Sequence, residues 1–246
     1  MCILFHTKMK HLAFNTHRTE GDKVVELIAK YGMYGEEKTL RSLDLSYAEV
    51  GPRGATALGK ALSMPDCILK DLVMIESHIG EEAVSQLALG LHHNTSLKLL
   101  RIECYLIGSD AAKAIGKMLT TNQGLESLMV DLDKGVLRYL TEGLKHNTTL
   151  THLCIGCIGL EREDVSHLAD LSVANTNLSH LELDRVFIEP HIMKDLEQMM
   201  ENPDSTIKTL EFTCCSRRKY FDYRIEKNCP IQEEEEDVQE EGNREK

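Results

Sequence analysis

The chain has 246 residues, of which 42% are hydrophobic, and its 28 basic and 40 acidic side chains give a formal charge of −12. This composition is that of a globular protein, and its acidity argues against a nucleic-acid backbone as partner, because phosphate binding depends on clustered lysine and arginine. No apolar run approaches the ~18 residues that a membrane helix needs, no secretory signal is evident, and the eight cysteines are not spaced like a disulfide scaffold. We therefore expect a cytoplasmic or nuclear protein, with no membrane and no nucleic acid among its partners.

The first part of the chain, residues 1–37, predicts an N-terminal segment that ends in a capping helix. Residues 22–31 (DKVVELIAKY) have closely spaced aliphatic side chains, which suits a half-unit helix that covers the core of the units after it. The aliphatic residues available for this contact are Val24, Val25, Leu27 and Ile28.

Residues 38–215 repeat a pattern about 28 residues long. Aliphatic or aromatic side chains recur seven times as L-x-x-L-x-L, at steps of 29, 28, 28, 25, 28 and 29 residues. The alternation within L-x-L predicts a short strand, and apolar positions three or four residues apart further on predict an amphipathic helix. The seven occurrences begin at Leu40, Leu69, Leu97, Leu125, Leu150, Leu178 and Ile207.

One strand and one helix in every unit predict an α/β solenoid, in which consecutive parallel strands are joined by helical crossovers. A single unit cannot bury its apolar face alone, whereas stacked units bury a continuous core. Because a helix needs more room than a strand, the stack bends into a horseshoe with strands on the concave face and helices on the convex face. We expect about seven repeats.

The first unit, LRSLDLSYAEVGPRGATALGKALS, resembles the ribonuclease-inhibitor class of leucine-rich repeat, and the resemblance extends over residues 38–215. That class also forms the sensor region of nucleotide-binding leucine-rich receptors and the body of Ran GTPase-activating protein. The family often has asparagine or cysteine three residues after the last strand leucine, where its side chain satisfies backbone groups at the bend. Here only Cys215 fits among the seven positions, so we expect this polar ladder to be largely missing.

Two further features concern the segments that connect strands and helices. Asn94, Asn122, Asn147 and Asn175 each lie three residues before a strand leucine, and because asparagine tolerates the left-handed conformation, we expect it to terminate the helices that way. The fourth unit is three residues short around residues 130–136, from which we expect a shorter loop and a notch in the rim.

Residues 216–230 predict a C-terminal cap in which Tyr220, Phe221 and Tyr223 close the stack. The bases of this segment leave open a localisation signal or nucleic-acid patch, or an electrostatic partner for the tail beside them. Residues 231–246 carry eight acids and two bases, which amounts to half of the net charge. With so few apolar side chains, they predict a disordered acidic tail.

The strand positions that flank the core leucines point to the concave face of the predicted horseshoe. Of these 21 positions, seven are acidic and one is basic, and a few apolar ones lie toward the middle. Such a face suits a protein partner with basic residues, although the acids could instead merely keep an exposed sheet soluble. The predicted partner-binding residues are Asp44, Asp71, Val73, Ile75, Leu99, Arg101, Glu103, Met129, Asp131, His152, His180, Glu182, Asp184 and Glu211.

Catalytic and metal chemistry have little support in the sequence. The C-x-x-C of Cys154 and Cys157 lies near His152 and His180 in the repeat, but no second C-x-x-C supplies further ligands. No phosphate-binding glycine motif or nucleophile–base spacing is present. We therefore predict no enzyme activity, no cofactor and no metal, and a scaffold for protein–protein interaction. The alternative is a GTPase activator, because Ran GTPase-activating protein has this repeat class followed by an acidic stretch.

Overall fold

Strands and helices alternate along the chain and build one sheet with a layer of helices beside it. The computed structural model describes residues 9–14, 21–33, 38–157, 159–186, 188–216, 219–227 and 232–235. The strands are β1 (His11–Ala13), β2 (Ser42–Asp44), β3 (Asp71–Ile75), β4 (Leu99–Ile107), β5 (Ser127–Leu132), β6 (His152–Cys157), β7 (His180–Asp184), β8 (Thr209–Ser216), β9 (Lys219–Glu226) and β10 (Gln232–Glu235). The helices are α1 (Gly21–Gly32), α2 (Pro52–Leu62), α3 (Glu81–Leu91), α4 (Ser109–Leu119), α5 (Leu137–Leu144), α6 (Arg162–Ala174) and α7 (Pro190–Glu201).

The order of the strands in the sheet is their order in the chain. From β1 to β8 each strand pairs in parallel with the next, and the helices between them serve as crossovers. The core leucines of successive strands lie side by side, as Leu43, Leu72 and Leu100 do. Each is at most 2% exposed, and burying such a side chain stabilises the fold by about 1.5–3 kcal/mol. The predicted α/β repeat solenoid is confirmed.

The amino-terminal end is a fuller unit than we predicted. Helix α1 buries Val25 and Ile28 in the core, as a capping helix should, but β1 also pairs in parallel with β2 and adds an eighth parallel strand. The side chains of Leu12 and Phe14 pack against the core. Together with Met9 they have the L-x-x-L-x-L spacing, but Met9 lies 31 residues before Leu40, a longer step than the 25–29 residues between the predicted occurrences.

At the other end, β9 runs antiparallel to β8 and pairs along its whole length. It thereby covers the sheet edge that the last parallel strand would expose, in the segment predicted to form the cap. Ile225 of β9 is buried, whereas the side chains of Tyr220, Phe221 and Tyr223 lie outside those that the structure describes.

Strand β10 belongs to the segment that we expect to be disordered, and these four residues differ from that expectation. They pair antiparallel with β9 through backbone groups, which are available whatever charge the side chains carry. The other residues of the predicted acidic tail lie outside the described part of the chain.

Strand pairing places the three residues that the fourth unit lacks at the rim. Strand β4 pairs with β5 at Ile102 and Val130 and again at Ile107 and Leu132, so five residue steps of β4 face only two of β5. The predicted shorter segment at the rim is therefore confirmed. Helix α5 is also shorter, with 8 residues where α4 has 11.

The recurring asparagines form a ladder of side-chain hydrogen bonds. The Nδ2 of Asn122 donates to the carbonyls of Leu91 at 2.6 Å and Asn94 at 3.0 Å, and its Oδ1 accepts from the amides of Gly124 at 3.0 Å and Leu125 at 2.8 Å. Corresponding bonds to neighbouring units are made by Asn94, Asn147 and Asn175.

These asparagines do not end the helices in the way we predicted. Asn175 is extended, with φ −87° and ψ 139°, and the described non-glycine residues with positive φ are all found elsewhere. Their side chains satisfy buried backbone groups of two units at once. They supply the polar ladder that is missing at the bend, at the opposite end of the strands.

Candidate functional site

The sheet register brings all of the predicted partner-binding residues to the concave face, where they form rows that run across the strands. They alternate along each strand with buried core residues, as the burial of β3 and β7 shows. The row at the strand starts contains Ser42, Asp71, Leu99, Ser127, His152, His180 and Thr209. The middle row contains Asp44, Val73, Arg101, Met129, Cys154, Glu182 and Glu211.

A third row lies at the strand ends and is interrupted by a register shift in β4. It contains Ile75, Glu103, Asp131, Gly156 and Asp184. We call the face of β2–β4 the N-terminal half and the face of β5–β8 the C-terminal half.

The N-terminal half has two carboxylates without a counterion. Among the described residues, neither Asp44 nor Asp71 forms an ion pair, and the backbone amide of Ser46 donates to Asp44 at 2.8 Å. Their neighbours in the rows are Ala13, Val73, Ser42 and Leu99, none of them charged. Both carboxylates therefore present their charge to solvent.

Apolar side chains adjoin these two acids. Val73 and Ile75 of β3 and Leu99 of β4 are half-buried on the open face of the sheet. Met129 lies beyond Arg101 in the middle row, and Arg101 forms an ion pair with Glu103. Three of the four predicted apolar residues thus lie on β3 and β4. In the middle row, Arg101, paired with Glu103, lies between Val73 and the fourth apolar residue, Met129.

In the C-terminal half, one arginine joins three consecutive strands. Arg185, directly after β7, donates to Asp131 of β5 at 2.6 Å and forms an ion pair with Asp184 at 2.9 Å. The guanidinium passes over Gly156 of β6, where an added Cβ would collide with the Asp131 carboxylate and contact Arg185. Burial raises the pKa of Asp131, while the positive charge of Arg185 acts in the opposite direction. Thr213 also donates to Asp184, at 2.5 Å.

Two histidines of this half stack on each other. The rings of His152 and His180 are 4.2 Å apart between centroids and inclined by 12°. Their Nδ1 atoms lie 2.8 Å from the hydroxyls of Thr151 and Ser179, respectively. Burial and the neighbouring His152 lower the pKa of His180. The stack is therefore most favourable while the His180 ring is neutral.

Beside the stack, Cys154 and Glu182 are hydrogen-bonded neighbours in the middle row. Burial raises the pKa of the Cys154 thiol well above its usual range, so it is not a thiolate nucleophile at neutral pH. Burial also raises the pKa of Glu182. They line a depression of about 150 Å³ together with Met129 and the two histidines.

The balance of charge on this face differs from the count along the strands. Arg185 and Arg224 both reach the face, and Arg224 lies 3.5 Å from Glu211. Neither arginine was predicted to lie on this face, because Arg185 follows the last strand position of its unit and Arg224 lies in the predicted cap. Their place next to acids of neighbouring units depends on which segments are adjacent in space.

The described residues provide neither a metal site nor a membrane-spanning helix. In the described part of the chain, no group of three or more histidine, cysteine, aspartate or glutamate side chains is arranged to hold a metal ion. The side chain of Cys157 lies outside the described ones. None of the described helices is long and apolar enough to cross a membrane.

The chain is similar in sequence to proteins with leucine-rich repeats. A family model described as leucine-rich repeat matches residues 37–59. NACHT, LRR and PYD domains-containing protein 4C of Mus musculus is 27% identical over 164 residues, covering 65% of this chain and 17% of that protein. Protein 4E of the same series, also from Mus musculus, is 28% identical over 170 residues, with the same two coverages. The chain thus spans less than a fifth of the length of these relatives.

One solved structure aligns with part of the chain. The structure titled Leiomodin-1 Actin-Binding Site 2 (ABS2) aligns with a TM-score of 0.49 at 21% identity, covering 60% of this chain and 86% of that one. The recurring strand pattern, the parallel sheet with its crossover helices, and the matches to leucine-rich-repeat sequences together identify the chain as a leucine-rich-repeat protein.

Proposed function

We propose that this chain is a non-enzymatic scaffold that binds a protein partner, with basic character, on its concave face. The observation that carries the proposal is the N-terminal half, where Asp44 and Asp71 have no counterion among the described residues and adjoin half-buried Val73, Ile75 and Leu99. Side chains on this face are not needed to fill the core, which lies on the other side of the sheet.

Each interaction in such a contact contributes little to the binding free energy, but several of them together can stabilise a complex. An exposed ion pair contributes about 0.2–1 kcal/mol, and apolar surface removed from water contributes roughly 25 cal/mol per Å². A partner that supplies both lysine or arginine and apolar side chains gains from both contributions. Opposite charge also steers the encounter, which gives specificity and speed of association.

The GTPase-activator alternative rests only on the repeat class and an acidic segment, and no described arrangement of side chains adds to it.

The free thiols of Cys67 and Cys154 suit a reducing compartment. We therefore propose the cytoplasm or nucleus as the location of the scaffold.

The test measures how much partner protein is captured by the purified full chain and by two charge-reversal variants. Asp71→Lys changes the concave face, and Lys117→Glu changes an exposed position on the convex helix α4. A functional partner should be lost with Asp71→Lys, be kept with Lys117→Glu, and bind more weakly when salt rises from about 0.1 M to about 1 M, where the screening length falls from about 10 Å to about 3 Å.

Two results would contradict the proposal. One is a partner that ignores salt and is lost only with the convex variant. The other is acceleration of GTP hydrolysis when the purified chain is added to small GTPases.

A further inference from the structure

We infer that docking is confined to the N-terminal half of the concave face, and that this half takes a peptide segment with its cations clustered at one end and apolar residues after them. The inference rests on the proposed function and specifies it further. It names the part of the face that is used, the chemistry of the segment and its direction across the strands.

The distribution of ion pairs divides the face. Arg101 neutralises Glu103 at the border of the N-terminal half. In the C-terminal half the acids have partners from this chain: Asp131 and Asp184 pair with Arg185, Glu211 lies near Arg224, and Glu182 is hydrogen-bonded to Cys154. A cationic partner would have to displace these contacts. At Asp44 and Asp71 it would displace no ion pair among the described residues.

The order of residues across the strands gives the segment its direction. Asp44 and Asp71 lie on β2 and β3, and the apolar side chains Val73, Ile75 and Leu99 lie on β3 and β4. Because strands are spaced by about 4.8 Å, the distance from β2 to β4 is about 10 Å, which an extended peptide covers with about three to four residues. A segment of about eight residues is long enough to place cations over β2–β3 and apolar side chains over β3–β4 and the adjacent rim.

The rim above this half carries a second unusual feature. Tyr47, Glu76 and His78 have φ angles of 60°, 48° and 47°, a conformation that costs energy for residues other than glycine. All three are exposed, and they follow β2 and β3, the strands that carry the unpaired acids. The described C-terminal half has one such residue, Arg185, which holds the ion-pair network. In the C-terminal half, the residue with strained backbone thus forms an ion pair. The three residues with strained backbone in the N-terminal half lie beside the proposed docking surface.

Charge selects the occupant. A second copy of this chain, with a net charge of −12, would add acids to acids, and so would its own tail, where eight of the last 16 residues are acidic. A separate segment with lysine or arginine complements the unpaired carboxylates. The chemistry points to a basic, amphipathic peptide.

The test uses synthetic fluorescein-labelled peptides of about eight residues and the purified full chain, with binding followed by fluorescence anisotropy at low salt. The first peptide has two lysines followed by alternating leucine and serine. The second has the same composition with the lysines spaced evenly, and the third has glutamate in place of lysine. We expect the clustered peptide to bind at least about threefold more tightly than the evenly spaced one, and the acidic peptide to bind least.

Matched variants locate the site. Asp44→Asn with Asp71→Asn removes both charges while keeping the side-chain shape, and should weaken the clustered peptide about threefold to tenfold, as two exposed ion pairs allow. Glu182→Gln with Glu211→Gln removes two charges from the C-terminal half and should change affinity less than twofold. Circular dichroism of each variant verifies that the fold is retained.

The outcomes distinguish this inference from the proposed function. Loss of binding with the C-terminal pair alone, or equal loss with both pairs, would overturn the assignment to the N-terminal half and leave concave docking intact. Equal binding of clustered and evenly spaced peptides, or no binding of the clustered peptide, would overturn the proposed chemistry of the segment. Failure of the proposed function itself is detected separately, by a captured partner that responds only to the convex variant Lys117→Glu.

Discussion

The two halves of the concave face are built from the same repeat and expose equivalent strand positions. They differ in whether their acidic side chains are paired within the chain. In the C-terminal half, Arg185 ties Asp131 to Asp184 across three strands, and two histidines stack on each other. In the N-terminal half, Asp44 and Asp71 have no counterion among the described residues. The comparison shows that a count of acids along the strands does not give the charge available to a partner.

The difference comes from what stands next to each acid. Gly156 leaves space for Arg185 to reach Asp131, so a missing side chain on one strand permits an ion pair between its neighbours. On β2 and β3 the residues next to Asp44 and Asp71 in the rows are apolar or small, and Arg101, the arginine that follows Val73 in the middle row, is paired with Glu103. One half is therefore stabilised by its own side chains, and the other is left open.

The largest effect should follow from cutting the ladder where the two halves meet. Asn122 precedes β5, and its side chain makes hydrogen bonds to the backbone at Leu91, Asn94, Gly124 and Leu125. Asn122→Ala leaves buried backbone groups unpaired, and we expect it to lower the free energy of unfolding by about 3 kcal/mol in urea titrations. If the halves are coupled only through this junction, the single transition should split into two.

The control for this exchange is Asn177→Ala. Asn177 is only half-buried, and its side-chain amide donates to the Thr148 carbonyl of the neighbouring unit. We expect a loss below about 1 kcal/mol. Equal losses for the two variants would show that the buried ladder has no special weight.

The second effect concerns the C-terminal network alone. Gly156→Ala places a methyl group against Asp131 and Arg185, which separates the pair and leaves the buried Asp131 poorly compensated. We expect a loss of about 2 kcal/mol, less than for a fully buried pair because the guanidinium is partly exposed. Gly159→Ala, whose added Cβ would meet one atom at 4.0 Å, is the matched control and should be nearly neutral. A neutral Gly156→Ala would mean that the network does not stabilise this half.

Sequence patterns predicted the strands and the side chains that share one face of the sheet. This was possible because period-two alternation and a repeat of about 28 residues can be read from residues close together in the sequence. The pattern was not recognised in β1, because Met9 lies 31 residues before Leu40, a longer step than those between the other units. It assigned the asparagines to the wrong mechanism, since the bonds of Asn122 join backbone groups up to 31 residues away. Arg185 could not be placed either, because its partner Asp131 is 54 residues distant and accessible only over Gly156.

A smaller effect should appear on acidification. The pKa of His180 is lowered by burial and by His152, so the unfolded chain takes up a proton on this ring at a higher pH than the folded chain does. The stability that depends on the neutral ring is therefore present above the unfolded pKa of about 6.5 and is lost as the pH falls through it. In His180→Gln, the drop in unfolding free energy between pH 7.5 and pH 5.5 should be smaller by about 0.5 kcal/mol. His93→Gln exchanges an exposed histidine away from the stack and is the control.

The smallest effect has the opposite sign and tests whether the C-terminal half needs its charges or only its contacts. Burial raises the pKa of Glu182, so the folded chain holds this proton more tightly than the unfolded chain does. The corresponding stability is present below the unfolded pKa and is lost as the pH rises through the folded one.

Glu182→Gln keeps an oxygen that can accept the hydrogen bond from Cys154 and removes the charge. We expect it to be more stable than the wild type by about 0.3 kcal/mol at pH 7 and equal to it near pH 3.5, measured by urea titration at both values. If the variant is instead less stable at pH 7, the carboxylate itself supports the network. Both halves would then use their charges, one for its own fold and the other for a partner, and the C-terminal half would be held by electrostatics as well as by hydrogen bonds and packing.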